Sequence, residues 1–312
     1  MEFFHKVSTV PFMRQRKLWY AVSAALILAS LISLATRGLN FGIDFTGGVS
    51  VQVRFSGTAN VTAVTEAVTR AGYASPSVSN FGTSRDVLIR LPPLSQTQTS
   101  EQLRSNVEAA VQSIDKGAEI LQIDNVGAQV GAELRNSAWQ SLLATLILIG
   151  LYLLFRFHTW RLSLGAVVSA MHDPILVAGF FSWTQMTFDL PTVSALLAVI
   201  GYSLNDTVVV FDRIRERFHA ARRQPPSEII DQSINETLSR TLITSGATFA
   251  VVLVLLLFGG AALVGFSTAL VVGILVGTYS SIYVASAIAL DCGLKAEHLL
   301  PTAVKHPVDD LP

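Results

Sequence analysis

The chain has 312 residues, 51% of them hydrophobic and only 14% charged, with 22 Lys plus Arg balancing 22 Asp plus Glu, and a mean hydropathy of +0.50. This balance excludes an ordinary water-soluble globule and leaves no basic excess for nucleic acid; it indicates a polytopic membrane protein. The one cysteine, Cys292, excludes an intramolecular disulfide, and without a Cys/His cluster, P-loop or dinucleotide fingerprint the sequence predicts no metal and no cofactor.

Residues 1–17 form a basic leader carrying Lys6, Arg14, Arg16 and Lys17, and residues 18–36 approach the ~20 apolar residues that a bilayer requires. That run is longer than the 7–15 residues of a secretory signal core, so an uncleaved first helix is expected rather than a signal peptide. From 37 to 137 the polarity rises and strand and helix periodicities alternate. Strands are predicted at Val49–Phe55, Ser77–Phe81, Asp86–Leu91 and Glu119–Val126, and helices at Val61–Ala71 and Thr99–Ile114. The order βαββαβ is the split ferredoxin-like plan. Just before it stands Phe41-Gly-Ile-Asp-Phe-Thr-Gly-Gly48, in which Gly42, Gly47 and Gly48 predict a special backbone turn and Asp44 reads as a turn cap.

Further spans are predicted at 138–155, 162–183, 190–211, 240–258 and 264–290, for a total of six. The basic loop Arg156–Arg161, the connector 212–239 with its short helix Ser227–Leu238, and the tail 291–312 with Lys295 and Lys305 fall on one side. By the positive-inside bias that side is the cytoplasm, together with both termini, and the inserted domain lies outside.

Several polar residues interrupt these spans. Asn205 and Asp206 lie in the fourth, where an acidic group costs roughly 2.5–3.5 kcal/mol and usually marks an ion or proton path. Ser194, Ala198, Gly201 and Asn205 recur at helical spacing beside them, a surface for close helix approach. In the third span His172 and Asp173 precede Pro174, which frees a backbone carbonyl. Arg240 opens the fifth span, where it either snorkels to the headgroups or turns inward to a carboxylate. Thr241, Thr244, Ser245 and Thr248 follow as a hydroxyl stripe, and the sixth span carries Gly273, Gly277, Ser280 and Ser281.

Three blocks taken together, Phe41–Gly48, His172-Asp173 and Val199–Glu216, resemble the SecF family of bacterial protein-export subunits, with Ser239-Arg240-Thr241 and Thr244-Ser245 extending the likeness over nearly the whole chain. Thr46 in the Asp-Phe-Thr-Gly-Gly string favours this family over its sister. The resemblance implies a bundle of the resistance, nodulation and division type in the bacterial inner membrane, paired with SecD beside the SecYEG channel and acting on unfolded preproteins with the proton-motive force. It also implies that Asp206 and Arg240 form the proton pathway, with Asp173, His172, Asn205 and Thr244 as relay or interface residues and Gly42, Asp44, Gly47 and Gly48 as a junction motif. It implies no enzymatic activity. Three other readings stand beside it: an intramembrane aspartyl protease using Asp173 and Asp206, a small-solute proton antiporter, and a scaffold that transports nothing. Leu204-Asn205 before Asp206 departs from the Gly-x-Gly-Asp of the protease type.

Overall fold

The computed structural model describes residues 8–93, 99–157, 159–221 and 224–299. Residues 1–7 with Lys6, residue 158 of the basic loop, residues 222 and 223 of the connector and the tail from 300 with Lys305 lie outside the described residues.

The inserted domain is a four-stranded antiparallel sheet in the order β3-β4-β2-β5, built from β2 (Gly48–Arg54), β3 (Ser77–Phe81), β4 (Thr83–Leu91) and β5 (Glu119–Val126). Helices α3 (Val61–Arg70) and α4 (Ser100–Gln112) cover one face. Alternation decides which face: Val49, Val51 and Val53 on β2 and Val87 and Ile89 on β4 are fully buried against Val64, Val68, Leu103 and Val107. Caps delimit both helices. Asn60 accepts from the Ala63 amide, and Thr99 and Gln102 form a reciprocal capping box.

Among the described residues six helices are long and apolar enough to cross a membrane. They are α1 (Arg16–Thr36, preceded by a 3₁₀ turn at Phe12–Gln15), α5 (Ala128–Phe157), α6 (Trp160–Thr184), α7 (Leu190–Ala220), α8 (Pro226–Phe258) and α9 (Val264–Ser280), the last continued by a π turn at Ser281–Ala285 and α10 (Ser286–Asp291). Helices α6, α7 and α9 form the buried centre; α1, α5 and α8 are peripheral.

The helices overrun the predicted spans. Expected at 138–155, the second begins at Ala128 because β5 passes through Gly127 directly into helix, so its polar first turns had looked like domain. The connector expected at 212–239 is mostly the extensions of α7 and α8, joined only through 221–225. Ion pairs from Arg213 and Arg217 to Glu236 hold them, over a core of Ile214, Phe218, Ile230 and Ile234. No break accompanies Pro174, which is buried within a continuous α6.

Two short elements tie the domain to the bundle. β1 (Asn40–Phe41) pairs in parallel with β6 (Thr187–Phe188), at the entrance to α7. One helical turn, α2 (Ile43–Thr46), then leads into β2.

Candidate functional site

Helices α7 and α9 approach closely in the middle of the bundle, beside its buried carboxylates. A Cβ on Gly273 would stand 2.2 Å from Val199 Cγ2, and one on Gly277 would stand 2.9 Å from Ser203 Cβ, so only hydrogens fit there. The close approach on α7 therefore uses Val199 and Ser203. The stripe Ser194, Ala198, Gly201 and Asn205 instead faces outward, and nothing lies within 4 Å of a Cβ on Gly201. The stripe is therefore not the surface by which α7 packs inside this chain; Asp206, beside it, is on the buried side, one turn beyond Ser203.

Asp206 is 4% exposed. Its Oδ2 accepts a 3.1 Å bond from Ser245 Oγ of α8, and Ser245 in turn accepts one of 3.0 Å from Thr278 Oγ1 of α9. One carboxylate is thus shared by three helices. Among the described residues no ion pair joins it to Arg240, which is exposed five residues before Ser245, about 7.5 Å along α8 at 1.5 Å per residue. Thr244 is also exposed and returns its hydroxyl to the Arg240 and Thr241 carbonyls. Two buried hydroxyls nearby, Tyr202 Oη on α7 and Thr241 Oγ1 on α8, have no protein partner.

Asp173 forms a second, separate cluster. It is fully buried, and its Oδ2 accepts from Ser203 on α7 and, at 3.0 Å, from Ser280 on α9, which also accepts from Ser169 at 3.0 Å. His172 Nδ1 lies 2.9 Å from Asp173 Oδ1, while its buried Nε2 has no partner. The two aspartates share no hydrogen-bond partner. Asn205 joins neither cluster.

The junction is a third site. Gly47 and Gly48 take φ of 70° and 123°, where a side chain is strained, and a Cβ on Gly47 would meet Ala128 Cα at 2.6 Å. Gly42 donates its amide to the Phe188 carbonyl. The turn α2 has no side-chain cap, and Asp44 serves a different helix from the one expected: its Oδ2 accepts from the Leu190 amide at 3.0 Å, at the positive end of α7. Asp189 caps the same end through the Thr192 amide at 2.9 Å. Burial pushes the Asp189 carboxyl above its ordinary range and the neighbouring Asp44 charge adds to this, partly offset by the Thr192 hydrogen bonds. From β4, Arg90 reaches Asn40 Oδ1 at 2.9 Å and Thr187 Oγ1, so the sheet itself grips the β1/β6 pair.

The sequence pattern singles out Asp206, Asp173, His172, Asp44 and Ser245, but not Arg90, Asp189 or Thr278. Small hydroxyls on apolar spans were the signal for Thr278. For Arg90 no local signal exists, because it is one of two arginines on β4 and nothing in the strand distinguishes it from Arg85.

Family profiles described as protein export membrane protein SecD/SecF, C-terminal, and SecD/SecF GG motif match residues 106–295 and 32–59. The protein translocase subunit SecF of Vibrio alginolyticus is 47% identical over 298 residues, covering 95% of this chain and 94% of its own. That of Escherichia coli O157:H7 is 41% identical over 309 residues, covering 99% and 95%. A crystal structure of SecDF from Thermus thermophilus, titled a translocon-associated membrane protein, aligns with a TM-score of 0.83 at 36% identity over 91% of this chain. A super-membrane-facing form of SecDF aligns with a TM-score of 0.69 at 34% identity. The chain spans 39% of the length of each of those SecDF chains.

Proposed function

Because this chain belongs to the SecD/SecF family of protein-export membrane proteins, we propose that it is the SecF-type subunit of the Sec export machinery, pairing with SecD beside SecYEG and using the proton-motive force to complete preprotein translocation. It is a multi-pass membrane protein. In this reading it lies in the bacterial inner membrane and is a translocase subunit, not an enzyme. Ion pairs Arg16–Asp291 and Arg156–Asp212, and the bond from Arg161 to the Cys292 carbonyl, gather basic ends on the side opposite the inserted domain. That gathering supports cytoplasmic termini and a periplasmic domain.

The observation that carries the proposal is Asp206: a carboxylate buried in a membrane helix, hydrogen-bonded by a neutral hydroxyl and, among the described residues, ion-paired to no cation. Protonation removes its charge at little geometric cost, since Ser245 can donate to either form. Arg240, a turn and a half away on the helix that carries Ser245, stabilises the ionised form when the bundle brings it closer. One proton crossing gains about 2.3 kcal/mol per 100 mV, comparable to the ~2.5–3.5 kcal/mol of a central charge, so protonation can bias a two-state bundle. The partnerless hydroxyls of Tyr202 and Thr241 lie along the same two helices and suit a hydrated route. Asp173 and His172 act in this reading as positioning residues that lock α6, α7 and α9 together. Asn205 and Thr244, exposed, belong to an interface with SecD. The separate partner sets of Asp173 and Asp206 disfavour the protease reading, because a dyad requires carboxylates that share a proton.

The test is proton-dependent completion of preprotein export in vesicles containing this chain and its SecD, comparing Asp206→Asn and Arg240→Met with wild type at matched levels. We expect both variants to assemble and to lose the proton-dependent component. Normal export by Asp206→Asn would leave only the scaffold reading.

A further inference from the structure

At the end of the bundle nearest the inserted domain an apolar groove of about 250 Å³ runs between α1, α5 and α6. Pro174 forms part of its floor, Leu142 and Leu146 one wall, and Trp139 and Met171 its mouth. The two mouth residues, on α5 and α6, are 52% and 48% exposed, so the groove is open along the flank of these two helices. Arg135 lies at the rim one turn before Trp139 and has no hydrogen bond or ion pair among the described residues.

We propose that this groove holds one acyl chain of a membrane phospholipid from the leaflet on the domain side, with Arg135 engaging the lipid phosphate. Three observations select this occupant. First, the opening lies on α5 and α6, both membrane spans, so hydrocarbon is what surrounds it. Second, the depth fits: Leu146 is eleven residues below Arg135, roughly 16 Å at 1.5 Å per residue, about half of a ~30 Å hydrocarbon core and hence one leaflet. Third, the polar end carries an unpaired guanidinium followed by a tryptophan, the pairing of phosphate binder and interfacial anchor found at headgroup depth. A partner helix, about 10–12 Å across, would lie over the mouth without entering so small a volume.

Occupancy would reach the junction. Phe45 and Phe188, whose ring centroids are 6.4 Å apart, close the end of the groove nearest the domain. A lipid chain there packs against the residues that join the outer domain to α7, so the bilayer itself becomes part of the domain's mounting.

The experiment uses the full chain with its SecD partner in nanodiscs containing phosphatidylglycerol with a diazirine at the end of one acyl chain. After illumination, labelled peptides are mapped by mass spectrometry. Expected is a several-fold excess of label on the α5 and α6 groove peptides over the exposed apolar face of α1 around Leu28 and Ile32, which lies outside the groove, reduced by Ala178→Phe, which fills a position in the groove lining, and by Arg135→Gln. Should Ala178→Phe fail to assemble, the Arg135→Gln arm decides, since that side chain lies outside the packed core. Equal label on the groove peptides and on that face of α1 would mean annular lipid only and would overturn the proposal, as would groove peptides labelled in the isolated chain but protected in the complex, which would assign the groove to protein.

Discussion

Replacing single glycines by alanine separates the contacts made inside this chain from those reserved for a partner. At Gly273 the added methyl stands 2.2 Å from Val199 Cγ2 and 2.7 Å from Cγ1, on a β-branched side chain with little rotamer freedom. Overpacking of this kind costs about 1–3 kcal/mol, and the better helix propensity of alanine offsets about 1 kcal/mol, so Gly273→Ala should destabilise the bundle by up to about 2 kcal/mol. Gly277→Ala, at 2.9 Å from Ser203 Cβ, should cost less in stability but disturb the Ser203–Asp173 bond. Gly201→Ala meets nothing within 4 Å and should be neutral or slightly stabilising in the isolated chain. Thermal unfolding in detergent reads the order; co-purification with SecD reads the partner face, where Gly201→Ala should weaken association. Equal destabilisation of the isolated chain by Gly201→Ala and Gly273→Ala would refute this division of α7 into an inner face and a partner face.

Two further outcomes follow from the junction and the domain. Asp44→Ala removes a carboxylate from the first amide of α7 and should cost about 0.5–2 kcal/mol locally, read as faster hydrogen exchange at Leu190 and its neighbours with the α7 centre unchanged. In the domain, the Arg54 hydrogen bond holds the Asp86 carboxyl below its usual range, against burial that acts the other way. A depressed carboxylate contributes stability that is present above the unfolded value of about 3.9 and is lost as pH falls through the folded one. Asp86→Asn should therefore flatten the acid limb of the domain's unfolding profile, and an unchanged limb would count against that pairing.

What could be read in the sequence follows the range of the interaction. The βαββαβ order and the six spans were legible because period-two and apolar-run signals are local, and Asp206 stood out because a charge in a long apolar run is rare. Helix ends were less legible: Arg213, Arg217 and Glu236 look like loop residues until α7 and α8 are seen to pair through them. Asp44 was read as a local cap because its true acceptor role joins it to Leu190, far along the chain. The face by which α7 packs inside the chain was not legible in the small-residue stripe for a related reason. Small residues mark close approach on any face, and only the positions of Gly273 and Gly277 on α9 decide which side of α7 is buried.

These long-range contacts converge on one helix. Asp44 of the junction accepts from its first amide, Ser203 reaches Asp173 and Asp206 reaches Ser245 in its middle, and Arg213 and Arg217 bind Glu236 at its other end. A rigid α7 therefore connects the mounting of the outer domain to the buried carboxylate without any intervening loop. Small rotations or translations of α7 that alter the Asp206–Ser245 contact must also act on the Asp44–Leu190 bond and the β1/β6 pair beside it. If proton occupancy of Asp206 is what moves α7, then cross-linking β1 to β6, for example with cysteines at Asn40 and Thr187, which are register partners, should preserve assembly and yet abolish proton-dependent export. Retention of that activity in the cross-linked protein would show that the domain is driven by some element other than α7.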